Sequence, residues 1–171
     1  LGASSAFADG HTQDYSVSGL FIFNTLLFLI GGFLVMWMAA GFAMLETGLV
    51  RAKNASTQLT KNVALFSLAS IAYFIVGYNL MYPGEGWIIE GWLGTFSPTS
   101  LEPVGVGPDG VDLEYASVGS DFFFQLMFCA ATASIVSGTV AERVKLWPFL
   151  IFTILLTGFF YPISASWKWG A

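Results

Sequence analysis

The sequence predicts an all-α polytopic membrane protein with four transmembrane helices. Of its 171 residues, 56% are hydrophobic and only 10% are charged, whereas soluble domains carry about 25% charged residues. Four stretches contain no Asp, Glu, Lys, Arg or His: 15–45, 62–84, 122–141 and 146–167. Each reaches the roughly 20 residues that a helix needs to cross a bilayer, and none shows the alternation of barrel strands. Because backbone polar groups must be satisfied within lipid, these stretches are predicted to be helices.

We place the four spans at about 20–45, 62–82, 122–141 and 147–165, with an outer loop at 83–121 between the second and the third. Pro148 suits the first turn of the fourth span, where a missing N–H costs little. The pair Tyr161-Pro162 near its end is expected to kink or end that helix.

The basic residues predict the orientation of the spans. Five of the six cations lie between spans one and two or between spans three and four: Arg51, Lys53, Lys61, Arg143 and Lys145. Positively charged loops face the cytoplasm, while the segment 85–121 carries seven carboxylates and no Lys or Arg. A multi-pass protein of the plasma (inner) membrane with its N-terminus outside is therefore expected.

The first residues predict a processed N-terminus. Ala6-Phe7-Ala8 before Asp9 is similar to the small-x-small end of a secretory signal, and residue 1 is not Met. We expect 1–18 to be a signal-peptide remnant with an outer N-terminal segment, and 19–171 to be a partial membrane domain.

Composition also excludes several classes of function. Six Lys+Arg against eleven Asp+Glu argue against a nucleic-acid partner, and a single cysteine, Cys129, leaves no disulfide framework. With one His, His11, the chain has too few ligands for a usual zinc site. The G-x-G-x-x-G match at 105–110 lies in the acidic loop, so it is interpreted as a cluster of turns. We expect no metal, no cofactor and no enzyme activity.

The third span contains the candidate functional residues. Phe124 and Phe128 are four residues apart and share one helical face, close to Gln125 and Thr132. A ridge of small residues lies on nearly the opposite side: Ala130, Ser134 and Gly138. The ridge allows another helix to approach closely. The aromatic face could line lipid, a packed core or a pore, and the residues by themselves favour packing.

Two carboxylates are predicted to lie just beyond the inner ends of spans one and three. Glu46 precedes Arg51 and Lys53, and Glu142 is adjacent to Arg143. Because a charge in mid-bilayer is costly, both are expected to form ion pairs at the cytoplasmic boundary.

Four segments together resemble the Amt branch of the Amt/Mep/Rh ammonium transporter family. They are GLVRAKN at 48–54, FQLMF at 124–128, AERVK at 141–145, and the segment from Tyr161-Pro162 to WKWG at 167–170. The resemblance extends from about Gly19 to the last residue. It implies that the chain is an N-terminal fragment with four helices of an eleven-helix inverted-repeat transporter fold. It also implies a homotrimer with a pore in each subunit, and as partners ammonium ion or ammonia, the lipid bilayer and a cytoplasmic regulatory protein.

The resemblance assigns roles to four residues. Phe128 matches the outer phenylalanine gate, and Phe124 matches the aromatic residue that lines the vestibule. Gln125 belongs to the same motif, and Trp169 matches the tryptophan that helps to recruit ammonium ion. With these matches, a pore role for Phe128 is favoured over packing. Two alternatives stay open: the membrane module of an ammonium sensor and a non-transporting structural helical bundle.

Overall fold

The fold is a bundle of long helices. The computed structural model describes residues 3–84, 86–99 and 116–170; of residues 3–18 it describes the backbone alone. The part of the chain so described contains four helices that are long and apolar enough to cross a membrane. They are span 1, Gly19–Leu49; span 2, Ala52–Met81; span 3, Val118–Thr139; and span 4, Leu146–Trp169. The predicted fold class is thus confirmed.

The spans differ in the number and type of helical segments that form them. Span 1 is the inner part of α1, Ala3–Leu49, and span 3 is α4, Val118–Thr139. Span 2 joins a 3₁₀ turn, Ala52–Asn54, to α2, Ala55–Ala72, a π-helical segment, Tyr73–Gly77, and α3, Tyr78–Met81. Span 4 joins α5, Leu146–Leu155, a π-helical segment, Leu156–Phe160, and α6, Tyr161–Trp169.

Span 4 does not end at Tyr161-Pro162. Pro162 lies in the first turn of α6, and the π-helical segment Leu156–Phe160 directly precedes it. Proline has no N–H to donate to the carbonyl four residues earlier. In a membrane helix, a local π-helical segment is one way to satisfy the backbone groups that this missing hydrogen bond leaves free. The helix therefore continues to Trp169.

The helices extend past the charge-free stretches at several ends. Span 1 includes Glu46, span 2 includes Lys61 and span 3 includes Asp121. All three side chains are buried, with relative exposures of 2%, 6% and 6%. The charge-free stretches end before these residues, because the local sequence does not show which charged groups have hydrogen-bond partners inside the bundle.

Two apolar clusters hold the spans together. The first is near the ends of spans 2 and 4 that carry Met81 and Ala165, and it includes Tyr73, Tyr78 and Cys129. The second lies towards the opposite end, around Leu65, Ala133, Phe149 and Leu150. Many apolar side chains of span 1 are exposed instead, as expected for a surface that faces lipid. We call the end at Met81 the outer end and the end at Glu46 the inner end.

Candidate functional site

The outer end of span 3 is fixed to span 1 by its helix cap. The Ser117 hydroxyl accepts from the Ser120 N–H at 3.3 Å, which satisfies one of the free N–H groups of the first turn. The Ser117 N–H donates to the Thr25 hydroxyl on span 1 at 3.1 Å. This pair of bonds sets the position of span 3 along span 1.

Three phenylalanine rings contact one another in series at this end, with neighbouring rings tilted by 57° and 54°; we call them the outer aromatic group. The ring centroids of Phe124 and Phe128 are 4.8 Å apart, and the Phe28 ring lies 5.0 Å from Phe124. Gly31 makes room for this arrangement, since a Cβ there would come within 2.8 Å of the Phe124 ring. Phe128 remains 40% exposed. The outer aromatic group therefore runs from half-buried rings to one that is more exposed.

Gln125 is turned away from open space and anchored. It is buried, and its Nε2 donates to the Tyr82 hydroxyl at 2.8 Å. Tyr82 in turn packs against the Tyr78 ring, with centroids 5.3 Å apart. The Tyr78 hydroxyl donates to the buried Asp121 carboxylate at 3.0 Å. Span 3 is thus connected to the end of span 2 by two polar contacts one turn apart.

Trp169 lies at the outer end of span 4 and is 52% exposed. The adjacent Gly170 is close to span 2, because a Cβ there would approach the Met81 carbonyl oxygen to 2.6 Å. Within the described ranges, the structure records no ring contact between Trp169 and Phe124 or Phe128. Of the four predicted site residues, three therefore stand together on span 3, and Trp169 is at the same end of the bundle on a neighbouring span.

The side chains that support this site were not among the predicted site residues. Phe28 and Gly31 lie on span 1, and Tyr82 lies directly after span 2. The sequence carries a signal for Tyr82, which is one of the aromatic residues that cluster near the predicted span boundaries. The double glycine Gly31-Gly32 in an apolar helix is a second signal, typical of close helix contact. Gly32 leaves space for the Phe123 ring, as Gly31 does for the Phe124 ring.

At the inner end, Glu142 forms an ion pair, as predicted, but with a partner on the other inner loop. Its Oε1 lies 3.2 Å from Arg51 Nε, accepts from the Arg51 backbone N–H at 3.0 Å, and accepts from Asn54 Nδ2 at 2.6 Å. Its partner is Arg51 and not the adjacent Arg143. We call these three residues the inner clasp. Glu142 adopts a left-handed φ of 62°, an uncommon conformation for a residue other than glycine.

The prediction for Glu46 was wrong. Glu46 is 2% exposed and lies inside span 1, where its Oε2 accepts from Asn62 Nδ2 at 2.8 Å, from Ser137 Oγ at 2.8 Å and from Gln58 Nε2. Lys61 is nearby, and its Nζ donates to the Ser137 carbonyl at 3.0 Å. We call these five residues the Glu46 network. Buried donors from spans 2 and 3 replace the expected surface cations, because helix packing turns that face of span 1 inward.

Hydrogen bonds hold the Glu142 carboxyl in its charged form. The Asn54 amide first, and then the Arg51 backbone N–H, lower the pKa of Glu142. A carboxyl with a lowered pKa contributes stability above its ordinary pKa of about 4.3 and loses that contribution as the pH falls through the lowered value.

We therefore expect Glu142→Gln to be less stable than the unchanged protein near neutral pH and equally stable in strong acid. Thermal unfolding in detergent from about pH 7 to below about pH 4 checks this. Because the pair is exposed, the difference should be small and should shrink at high salt. Glu90→Gln is the matched control, since Glu90 is an exposed carboxylate far from the clasp. Parallel profiles for Glu142→Gln and the unchanged protein would contradict the assignment.

Other residues that the sequence singled out lie partly outside the described ranges. Residues 105–110, five of the seven carboxylates of 85–121 and the His11 side chain lie outside what the structure describes. Cys129 is fully buried in the first apolar cluster, which agrees with a packing role. Among the described residues, no group of three or more His, Cys, Asp or Glu could hold a metal ion.

The fold and the site define a class: a polytopic helical membrane protein with an aromatic group at one end of its third span. Residues 26–171 match the profile of the Ammonium Transporter Family. The chain belongs to this family, which is a family of transporters and not of enzymes.

Individual relatives agree with the family match. The ammonium transporter Amt2 of Archaeoglobus fulgidus is 40% identical over 83% of this chain and 28% of its own length. Ammonium transporter 3 of Dictyostelium discoideum is 32% identical over 97% of this chain and 35% of its own length. A solved structure titled "Sensor Amt Protein" is similar with a TM-score of 0.76 and 28% identity, covering 90% of this chain and 35% of that one. The chain thus spans about a third of the length of the proteins it matches.

Proposed function

We propose that the chain takes part in transmembrane ammonium or ammonia transport and supplies the outer recruitment site and first phenylalanine gate. The observation that carries this proposal is the outer aromatic group, in which the ring centroids of Phe124 and Phe128 lie 4.8 Å apart and Phe128 is 40% exposed. Membership of the family supports ammonium as the substrate.

The chemistry of aromatic rings suits this role. A cation over the face of an aromatic ring gains about 0.5–2 kcal/mol, which offsets part of the cost of removing it from water. Trp169, which is 52% exposed, would offer such a ring at the outer end. Phe124, which is packed against Phe28 and Phe128, would offer a second one deeper in the bundle. Phe128, one turn further in, would act as the gate.

Gln125 has a different part in this proposal. One of its two amide N–H groups donates to the Tyr82 hydroxyl at 2.8 Å, and the side chain is buried. Gln125 would thus act from behind the rings, by fixing the position of span 3 against Tyr82, and would not meet the substrate directly.

We also propose the cellular setting that goes with this function. The protein would lie in the plasma (inner) membrane with its N-terminus outside, as a homotrimer that a cytoplasmic regulatory protein can bind. Residues 1–18 would form a signal-peptide remnant and outer segment, and 19–171 part of the transporter domain. The cations Arg51, Lys61 and Lys145, which lie towards the inner end, support this orientation.

Transport assays of the natural protein in proteoliposomes test the proposal. Trp169→Leu should weaken the apparent affinity for methylammonium by about 2- to 30-fold, the range that one cation–π contact implies. Phe128→Ala should change the maximal flux, since it removes the gate. Phe152→Ala is the matched control, because Phe152 is 39% exposed and Phe128 40%. Unchanged affinity and flux in both Trp169→Leu and Phe128→Ala would refute the site assignment.

A second candidate function is the membrane module of an ammonium sensor. The similarity to the solved "Sensor Amt Protein" favours it, at 28% identity over 90% of this chain. A sensor module would bind methylammonium without sustained flux, whereas a transporter would show both. The same proteoliposome assay, combined with equilibrium binding, separates the two functions.

A further inference from the structure

We infer that the inner end of the chain holds a second cation site, in which Glu46 Oε1 binds a small cation with N–H donors. The site lies between spans 1 and 3, at the opposite end from the outer aromatic group. The choice of ammonium-like cations as probes rests on the proposed function; the site itself rests on the contacts of Glu46.

The two oxygens of Glu46 have unequal surroundings. Oε2 accepts from Gln58, Asn62 and Ser137, an arrangement that stabilises a charged carboxylate. Oε1 is buried and has no hydrogen-bond partner. A buried charged oxygen without a partner is costly, so Oε1 is the atom of this network that a ligand would complete.

Space for a ligand is present next to this oxygen. A cavity of about 400 Å³ is lined by Glu46, Gly138 and the aromatic Phe42, among others. Gly138 has no side chain, and a Cβ at that position would lie 3.4 Å from Glu46 Oε1. Oε1 itself is buried, so a small group in the cavity would reach it over the surface of span 3 after a small shift of the side chains around it.

The ligands around the cavity suit a small monovalent N–H cation better than a divalent metal ion. A calcium ion takes about six to eight oxygen ligands, but the described lining of the cavity has two carboxylates, and Glu142 Oε1 is already held by Arg51 and Asn54. An N–H cation could donate one charge-assisted hydrogen bond to Glu46 Oε1 and contact the Phe42 ring, while its other N–H groups keep water on the open side of the cavity. Lys61 does not occupy this position, because its Nζ is bound to the Ser137 carbonyl and lies 4.9 Å from the Phe149 ring centroid. Arg143 also lines the cavity and limits the affinity.

Equilibrium binding of radiolabelled methylammonium to the purified natural protein tests the inference. Glu46→Gln keeps the shape of the side chain and removes its charge. We expect it to lose one bound methylammonium per chain or to bind it roughly tenfold or more weakly, since a charge-assisted hydrogen bond is lost. The control Glu90→Gln, at an exposed carboxylate of the outer segment, should bind as the unchanged protein does. Full binding by folded Glu46→Gln would overturn the inference.

Gly138→Ala keeps the test decisive if Glu46→Gln fails to fold. It adds one methyl group beside Oε1 within ordinary contact distance, so the protein should remain folded while binding at this site weakens. Unchanged binding in Gly138→Ala together with unfolding of Glu46→Gln would overturn the inference. Competition by ammonium and not by Na⁺ would support the N–H chemistry, whereas equal competition would overturn it.

Outer-site variants separate this inference from the proposed function. If Trp169→Leu and Phe128→Ala leave a Glu46-dependent binding event, the inner site stands whatever their effect on transport. If these variants abolish all methylammonium binding, a separate inner site does not exist. If they change neither transport nor binding, the proposed function fails and the Glu46 result still decides the inner site.

Discussion

Replacing Glu46 with leucine is expected to destabilise the protein by about 3–5 kcal/mol, the usual cost of removing one partner from a buried charged pair. Leucine cannot accept the hydrogen bonds from Gln58, Asn62 and Ser137 that now converge on Oε2. Lys61, which is 6% exposed, would also lose its nearby carboxylate. Thermal unfolding in detergent should show a large decrease in midpoint.

A second substitution shows whether charge is the cause. Lys61 is not bonded to Glu46 but lies in the same buried network. Because replacing neighbouring buried charged groups together costs less than removing one of them, Glu46→Leu combined with Lys61→Met should recover part of the lost stability. It should not recover all of it, since three polar donors still lack their acceptor. If the Glu46→Leu variant is as stable as the unchanged protein, the Glu46 network does not hold spans 1, 2 and 3 together.

Gly77→Ala is expected to cost about 1–3 kcal/mol through overpacking. Gly77 ends the π-helical segment of span 2, and a Cβ there would lie 2.5 Å from the Tyr73 ring and 3.1 Å from Pro162 Cγ. Tyr73 and Pro162 are both fully buried, so neither can move aside cheaply. Thermal unfolding of the purified protein measures the effect.

Gly158→Ala is the matched control for this substitution. Gly158 lies in the π-helical segment of span 4, and a Cβ there would contact Ala72 Cβ at an ordinary 3.6 Å. Alanine favours a helix over glycine by about 1 kcal/mol, so this variant should be as stable as the unchanged protein or more stable. Equal losses for Gly77→Ala and Gly158→Ala would contradict the close contact between spans 2 and 4.

The number and type of helices could be predicted from the sequence because lipid imposes a simple rule on them. A helix that crosses a bilayer must be long and almost free of exposed charge, and the four charge-free stretches meet that rule. The rule does not extend to Glu46, Lys61 or Asp121, because the partners that allow each of them to be buried come from other spans. Those partners follow from packing and not from local sequence.

In the candidate site, too, contacts within one helix follow from the sequence, whereas contacts between spans do not. The contact between Phe124 and Phe128 follows from their spacing of four residues on one helix, and the structure places their centroids 4.8 Å apart. The hydrogen bond from Gln125 to Tyr82 joins residues 43 positions apart. No local pattern predicts such a contact, and the space that Gly31 leaves for the Phe124 ring is equally non-local.

The two carboxylates near the inner end show that the neighbours of a residue in the sequence do not by themselves determine its partners in the structure. Glu46 and Glu142 both lie close to cations in the sequence, so the same ion pairing was expected for both. Glu142 is on a loop and forms its pair with Arg51 at 3.2 Å. Glu46 is still within a helix, whose geometry turns it towards spans 2 and 3 instead of towards the loop.

The most direct test of the proposed outer site is a structure of the natural protein determined with and without methylammonium. The account predicts density for the cation against the faces of Trp169, Phe124 or Phe128, present only in the sample that contains methylammonium. Methylammonium bound at the outer end without contact to any of these three rings, in a protein that transports it, would contradict the account.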